Sequence, residues 1–306
     1  MIDNAVITGQ QLWEWLQKAK AEAIAADICV TEVDWFVQEW VGLDRLSLRL
    51  ESFKDSPKVN LRLPWSDFMQ LWERRLKQRV PLQYLTGVVG WRHFSLTVSP
   101  AVLIPRPETE LIIDWVADQL KSPSQPLNSH GDLWRGHWVD LGTGSGAIAL
   151  GLAEVLTEAQ IHAVDCSQDA LAIAQKNAED LGFANRIQFY QGEWWEPLEF
   201  LRGQVSGMVA NPPYIPTKMI STLQPEVANH EPHLALDGGD SGLVCIQHLV
   251  ETAPTYLHSG GVWLVEMMAG QGEQVVEMLK DQGCYTQIEL IADLAGIQRF
   301  AQAYRL

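Results

Sequence analysis

The 306-residue chain is poor in cysteine, in basic residues and in long apolar runs. Its four cysteines, Cys29, Cys166, Cys245 and Cys284, are scattered and form no CxxC or CxxH pair. That argues against a disulfide framework and a local zinc site; it fits a reducing compartment, and no metal is expected. Lys and Arg number 22 against 38 Asp and Glu, a formal charge of −16. So acidic a surface repels phosphate backbones, and direct binding of nucleic acid through a broad cationic face is not expected. No apolar stretch approaches the roughly 20 residues of a bilayer-spanning helix. No basic segment precedes an apolar run near Met1, so neither a membrane anchor nor a signal peptide is expected, and the expected location is cytoplasmic. What is present is a core-forming composition, 47% hydrophobic and 20% charged, which excludes disorder as the main state. Tryptophan is abundant, with 13 residues, and Trp13, Trp15, Trp35, Trp40, Trp65 and Trp72 all precede residue 80.

The first 80 residues have helical periodicity. Thr8 and Gln11 form a capping-box pattern ahead of Leu12, Trp15, Leu16, Ala19 and Ala23. Thr31 and Asp34 repeat the start signal before Phe36, Val37, Trp40 and Val41, and Gly42 is the expected stop. A third helix is expected from about Ser66, with Phe68, Leu71, Trp72 and Leu76 as its apolar stripe and Pro81 as its end. The aromatics are expected to pack a small helical bundle. Arg74, Arg75, Lys77 and Arg79 make the one dense basic cluster, expected to be a solvated helix face. Its functional alternative is contact with an acidic or ribosome-associated partner.

The period then changes. Phe94, Leu96 and Val98 alternate as a strand does, with a turn expected at Gly90. Prolines 100, 105 and 107 punctuate a loop, a helix is expected over 108–120, and 122–136 is a polar loop. From Trp138 apolar strands alternate with helices: strands at 138–141, 161–164, 187–190, 208–210 and 262–265, helices at 147–155, at 170–181 and from about Gly242. A hairpin closes the chain, 286–291 and 299–304 about Gly296. This rhythm predicts an α/β fold with a mainly parallel sheet covered on both faces.

The segment Asp140-Leu-Gly142-Thr143-Gly144-Ser145-Gly146 joins the first of these strands to its helix. Glycines there permit positive φ and close approach of backbone to a ligand, and the helix start offers free N–H groups. Asp165, ending the next strand, is placed to bind ribose hydroxyls. Loop and aspartate together indicate an adenine nucleoside ligand without choosing between NAD and S-adenosylmethionine. Asn211-Pro212-Pro213-Tyr214 follows the fourth strand. Two prolines stiffen this corner and remove two donors. The Asn211 side-chain oxygen and the Pro212 carbonyl can each accept an N–H from a planar –NH2, and Tyr214 can stack on it. Such acceptors stabilise the positive charge that grows on an attacking nitrogen, so the pattern points to methylation of an amide or amino nitrogen.

These residues resemble the class I S-adenosylmethionine-dependent methyltransferases of the Asn-Pro-Pro-Tyr group. Four further segments narrow the resemblance to the HemK/PrmC family: Pro81-Leu-Gln-Tyr-Leu-Thr-Gly87, Leu103-Ile-Pro-Arg-Pro-Glu-Thr-Glu110, His230-Glu-Pro-His-Leu-Ala-Leu-Asp-Gly-Gly239 and Asp293-Leu-Ala-Gly-Ile-Gln-Arg299. The similarity spans almost the whole chain and is strongest after about residue 81. It implies a Rossmann-like, seven-stranded, mainly parallel sheet with a C-terminal antiparallel hairpin, preceded by a small helical-bundle domain. The implied division is a release-factor-docking domain over 1–85, a β connector and Pro-rich linker over 86–107 and a methyltransferase domain over 108–306. The implied reaction is transfer of a methyl group from S-adenosylmethionine to N5 of the Gln in the Gly-Gly-Gln motif of class 1 peptide chain release factors, by a monomer. By position, Gly142, Thr143, Gly144, Ser145 and Gly146, with Asp165, Trp194 and Asn211, would hold the cofactor, and Asn211, Pro212, Pro213 and Tyr214 the glutamine amide. Glu193 stands where many members have Asp. A ribosomal-protein glutamine methyltransferase is the nearest alternative, and an amino-methyltransferase acting on DNA or ribosomal RNA a more distant one.

Overall fold

A computed structural model describes residues 5–121 and 134–306. Most of the polar loop expected over 122–136 lies outside the described residues. The chain divides into two compact units. The first holds the residues up to Gly87 together with Pro225–His230, and the second holds Val88–Gln224 and Glu231–Leu306.

In the first unit a two-residue strand β1 (Val6–Ile7) leads into α1 (Gly9–Ala25), followed by α2 (Thr31–Val41), α3 (Arg45–Arg49), β2 (Val59–Asn60), α4 (Trp65–Gln78) and α5 (Leu82–Thr86). The capping box forms as its sequence predicts: the Gln11 N–H donates to Thr8 Oγ1 and the Thr8 N–H to Gln11 Oε1. The second start signal does not. Val30 occupies the cap position without a side-chain bond, and Asp34 instead pairs with Lys20 at 2.8 Å. Gly42 stops α2 with φ +78°, as expected. The capped turn α3, with Ser47 N–H on Asp44 Oδ1, and the antiparallel β1/β2 pair were not foreseen. Elements this short carry almost no periodic signal. Trp15, Phe36, Phe68 and Trp72 meet as expected at the centre, with Phe68 4.6 Å from Trp15 and 4.8 Å from Phe36 between ring centroids.

In the basic cluster of α4, Arg74 and Lys77 are exposed as expected, whereas Arg75 and Arg79 are not solvated-face residues. Arg75 is only 4% exposed. Its guanidinium grips both oxygens of Glu32, Nε at 2.6 Å and Nη2 at 3.0 Å, and reaches Glu226 with Nη1 at 2.8 Å. Arg79, which ends α4 with φ +59°, also pairs with Glu226. Burial opposes the charge on Arg75, but the two carboxylates outweigh it and hold the guanidinium above its usual range.

The second unit opens with the antiparallel hairpin β3 (Val88–Trp91) and β4 (Phe94–Thr97). Gly90 is not the turn: it lies in β3 opposite Ser95, and the turn is Arg92–His93, with Arg92 at φ +53°. The alternation Val89, Trp91, Phe94, Leu96 buries one face, which puts Gly90 on the other. A 3₁₀ turn over Pro107–Thr109 leads into α6 (Glu110–Lys121). Then come β5 (His137–Leu141), α7 (Ala147–Val155), β6 (Gln160–Asp165), α8 (Gln168–Asp180), β7 (Ile187–Gln191), β8 (Val205–Ala210), α9 (Thr217–Ile220), α10 (Pro225–His230, which belongs to the first unit), α11 (Val244–Thr252), β9 (Leu257–Glu266), α12 (Gly272–Gln282), β10 (Tyr285–Ala292) and β11 (Gln298–Arg305). The seven-stranded sheet has the order β10-β11-β9-β8-β5-β6-β7. β5 to β9 are parallel, and β11 runs antiparallel to both β9 and β10. This is the architecture expected, including the C-terminal hairpin. From β5 the chain winds one way to β6 and β7, then resumes on the other side at β8 and β9. Ligands of open α/β sheets bind beyond the strand ends at such a reversal.

Candidate active site

Beyond the carboxyl ends of β5, β6 and β8 lies a cavity of about 310 Å³. The backbone turns sharply after Leu141. Gly142 and Gly144 take φ +80° and +54°, values that L side chains rarely adopt. Thr143 donates to Asp140 Oδ2 at 2.6 Å, and the Gly144 N–H donates to Asp165 Oδ2 at 2.9 Å, which binds the loop to the next strand. Asn177 of α8 secures the loop from behind, donating to the Ser145 carbonyl at 2.9 Å and to that of Thr97 at 3.0 Å.

Gly142, Thr143, Gly144, Ser145, Asp165 and Trp194 all line this cavity, and Glu193 beside them. Gly146 does not. Its φ is +83°, and a Cβ there would stand 3.1 Å from the Ala174 Cβ, so it lets α7 start against α8. Trp194 holds a left-handed backbone, φ +51°. Asp165 accepts the Ser167 N–H on its other oxygen at 2.9 Å. Burial raises its carboxyl above the usual range against these two bonds.

Asn211 and Pro213 line the same cavity, Pro212 is buried, and Tyr214 is half-buried behind them. The Tyr214 hydroxyl donates to Glu266 Oε1 at 3.1 Å. Burial, with the neighbouring Glu266 charge, pushes that phenol far above its ordinary range, so it does not serve as a base. Glu266 Oε2 accepts from Thr109 Oγ1 at 2.7 Å, and Thr109 Oγ1 accepts from Asn211 Nδ2 at 3.3 Å. Burial lifts the Glu266 carboxyl to about 6, with Thr109, Tyr214 and Arg299 opposing the rise and Glu108 adding to it.

Sequence reasoning missed Thr109 and Glu266 as site residues. Thr109 sat inside the Leu103–Glu110 segment without a role of its own. Glu266 had a usable signal: it ends the apolar strand Val262-Trp-Leu-Val265, a carboxylate at the same edge of the sheet as Asp165 and Asn211. His162 is buried and bonded to His137 and the Tyr190 hydroxyl; burial, with His137 adding to it, pushes it down to about 4.

A methyltransferase-domain model matches residues 135–287. The chain is 50% identical over 305 residues to a release factor glutamine methyltransferase of a Synechocystis species, covering 100% of both chains. It is 44% identical to one from Thermosynechococcus vestitus, over 96% of this chain and 97% of that one. The chain belongs to the release factor glutamine methyltransferase family. A relative of that name from Gloeobacter violaceus is 40% identical over 95% of this chain and 96% of its own. Among solved structures, the hMettl16 catalytic domain in complex with a MAT2A 3′UTR hairpin aligns with a TM-score of 0.52 at 16% identity, over 78% of this chain and 80% of that one. That likeness concerns the fold.

The segments that carried the family resemblance have visible structural work. Arg106 of Leu103–Glu110 donates to both carboxylate oxygens of Glu231, at 2.8 and 2.7 Å, and so binds it to His230–Gly239. Arg299 bonds Asp293 at 2.9 Å, closing the tip between β10 and β11. Pro81–Gly87 is α5 with its left-handed glycine cap.

Asp140 predicts a pH effect. Burial raises its carboxyl from 3.8 to about 7, against its bonds from Thr143 and Ala149, and Oδ1 has no partner among the described residues. A raised folded value means that its contribution to stability is complete below the unfolded value and is lost as pH rises through about 7. Asp140→Asn mimics the protonated form. Between pH 4 and pH 8 its stability relative to wild type is expected to rise by a few kcal/mol, read by denaturant unfolding at each pH. A pH-independent difference would reject the assignment.

Proposed function

We propose that the protein transfers a methyl group from S-adenosylmethionine to N5 of the glutamine in the Gly-Gly-Gln motif of class 1 peptide chain release factors. One observation carries this reading: Asn211 and Pro213 of the tetrapeptide and Gly142, Thr143, Gly144 and Ser145 of the glycine loop line a single cavity with Asp165 and Trp194. The donor set suits the cofactor. Asp165 retains lone pairs for ribose hydroxyls after its two backbone bonds. Trp194 offers an apolar wall to adenine, and the glycine loop offers its backbone to the methionine part. Bound there, S-adenosylmethionine supplies an electrophilic sulfonium methyl.

The chain's own residues do the rest. Asn211 Oδ1 and the Pro212 carbonyl accept the two amide N–H bonds of the glutamine. This orients its nitrogen, and it stabilises the positive charge that grows there during attack. Pro213 and the Tyr214 ring frame the amide, while the Tyr214 hydroxyl stays on Glu266 and takes no proton. The extra proton leaves to water once the methylated nitrogen has become strongly acidic.

The helical unit, the residues up to Gly87 with Pro225–His230, docks the release factor, and the second unit, Val88–Gln224 with Glu231–Leu306, carries the chemistry. The protein acts as a monomer in the cytoplasm, and its charge of −16 disfavours direct nucleic-acid contact. Among the described residues no helix is long and apolar enough to cross a membrane.

Incubation with methyl-labelled S-adenosylmethionine and a class 1 release factor is expected to label the factor. Gln→Ala in the factor's Gly-Gly-Gln motif is expected to abolish the label. Persistent labelling of that variant, or preferential labelling of a ribosomal protein in extract, overturns the substrate assignment.

A further inference from the structure

We infer that Glu266 and Thr109 form a polar relay that fixes which end of the Asn211 amide faces the substrate. The inference rests on the amide-binding role proposed for Asn211.

An asparagine amide is nearly symmetric in shape, so packing alone does not choose between its oxygen and its nitrogen; only the donors and acceptors around it do. Here the choice is made two residues back. An ionised carboxylate accepts hydrogen bonds and donates none. Glu266 is 1% exposed and receives two, from the Tyr214 hydroxyl on Oε1 and the Thr109 hydroxyl on Oε2. The single Thr109 proton is therefore committed to Glu266. Thr109, 3% exposed, has only lone pairs left to offer. Only the NH2 end of Asn211 can answer a lone pair, and it does, at 3.3 Å. The oxygen is then turned the other way, and among the described residues nothing donates to it. A flipped amide would set Oδ1 against the Thr109 lone pairs and present two donors to the substrate's own NH2.

Glu266 does not line the cavity, so it acts through Thr109 and Tyr214 as a positioning residue and not as a base. The same carboxylate holds the Tyr214 hydroxyl, so one buried charge orients both polar side chains of the tetrapeptide.

Thr109→Val keeps the side chain's shape and removes the hydroxyl. It is expected to lower kcat about tenfold, the size of one lost hydrogen bond, with the KM for release factor and the Kd for S-adenosylmethionine within twofold of wild type. Thr109→Ser is expected to restore kcat to within about twofold. The deciding measurement is the same substitution in an Asn211→Ala background. A relay acting through Asn211 costs nothing further there, whereas an independent role for Thr109 repeats the tenfold loss. Should Thr109→Val melt below the assay temperature, Thr109→Ala takes its place in the same cycle. Additive losses, or a serine variant as slow as the valine one, overturn the relay. Full turnover by Asn211→Ala alone overturns the amide-binding role beneath it, a separate outcome.

Discussion

Asn211→Ala is expected to slow methyl transfer by 10² to 10³ while leaving cofactor affinity within about threefold. Losses of this size follow removal of one preorganised group aimed at charge that develops in a transition state. The asymmetry between the two measurements is the informative part. Asn211 borders a cavity lined also by the glycine loop, Asp165 and Trp194, the residues to which the proposed reading gives most of the cofactor contacts. The nitrogen that reacts has its lone pair delocalised into the amide, so it gains most from acceptors that favour the charged, pyramidal form and little from contacts to the neutral amide. The loss therefore falls on kcat, with the release-factor KM nearly unchanged. Single-turnover transfer of labelled methyl, alongside calorimetric titration of S-adenosylmethionine, separates the two. A variant within threefold of wild-type turnover would remove Asn211 from the chemistry.

Arg75→Ala is expected to destabilise the helical unit by about 3 kcal/mol, roughly a hundredfold in its folding equilibrium. The Arg75 side chain is almost wholly out of water and bonded to two carboxylates, Glu32 and Glu226, themselves mostly covered. Deleting the cation leaves partly desolvated negative charges facing each other, with Arg79 the remaining cation on Glu226. An exposed helix-face arginine would instead cost between nothing and about 1 kcal/mol. Urea unfolding followed by tryptophan fluorescence reports on this unit, since Trp15, Trp65 and Trp72 pack at its centre. Adding Glu32→Ala should recover part of the loss by removing one stranded carboxylate. A change under 0.5 kcal/mol would return Arg75 to the role of a solvated surface residue.

The fate of Arg75 shows where legibility in the sequence stopped. Its partner Glu226 is 151 positions away, and charge at helical spacing carries the same pattern whether it faces water or a distant carboxylate. The parallel sheet was legible because strands buried on both faces appear as short apolar runs between helices. The helix starting at Ala147 followed from the glycines ahead of it. By contrast α12 went unnoticed, since Gly272–Gln282 mixes charged residues with a sparse stripe, of which Val275 and Leu279 are buried. Thr31 kept its capping residue type and lost the cap, because local propensity yields to the path the chain takes from Asp27, with φ +55°, into α2. In the site, tetrapeptide and glycine loop declared themselves by contiguous residues. Thr109 and Glu266 stand 157 positions apart, and no local pattern joins them.

Because Pro225–His230 folds with the residues before Gly87, the chain passes from one unit to the other three times, and no single scission parts them. A fragment ending at Gly87 would lack Glu226, the carboxylate shared by Arg75 and Arg79. A fragment beginning at Val88 would carry a helical turn cut off from its packing partners, just downstream of the tetrapeptide. Excised pieces are thus poor surrogates for the whole, and deletion of the N-terminal region would disturb the loop that follows Tyr214 even if that region never touched a substrate.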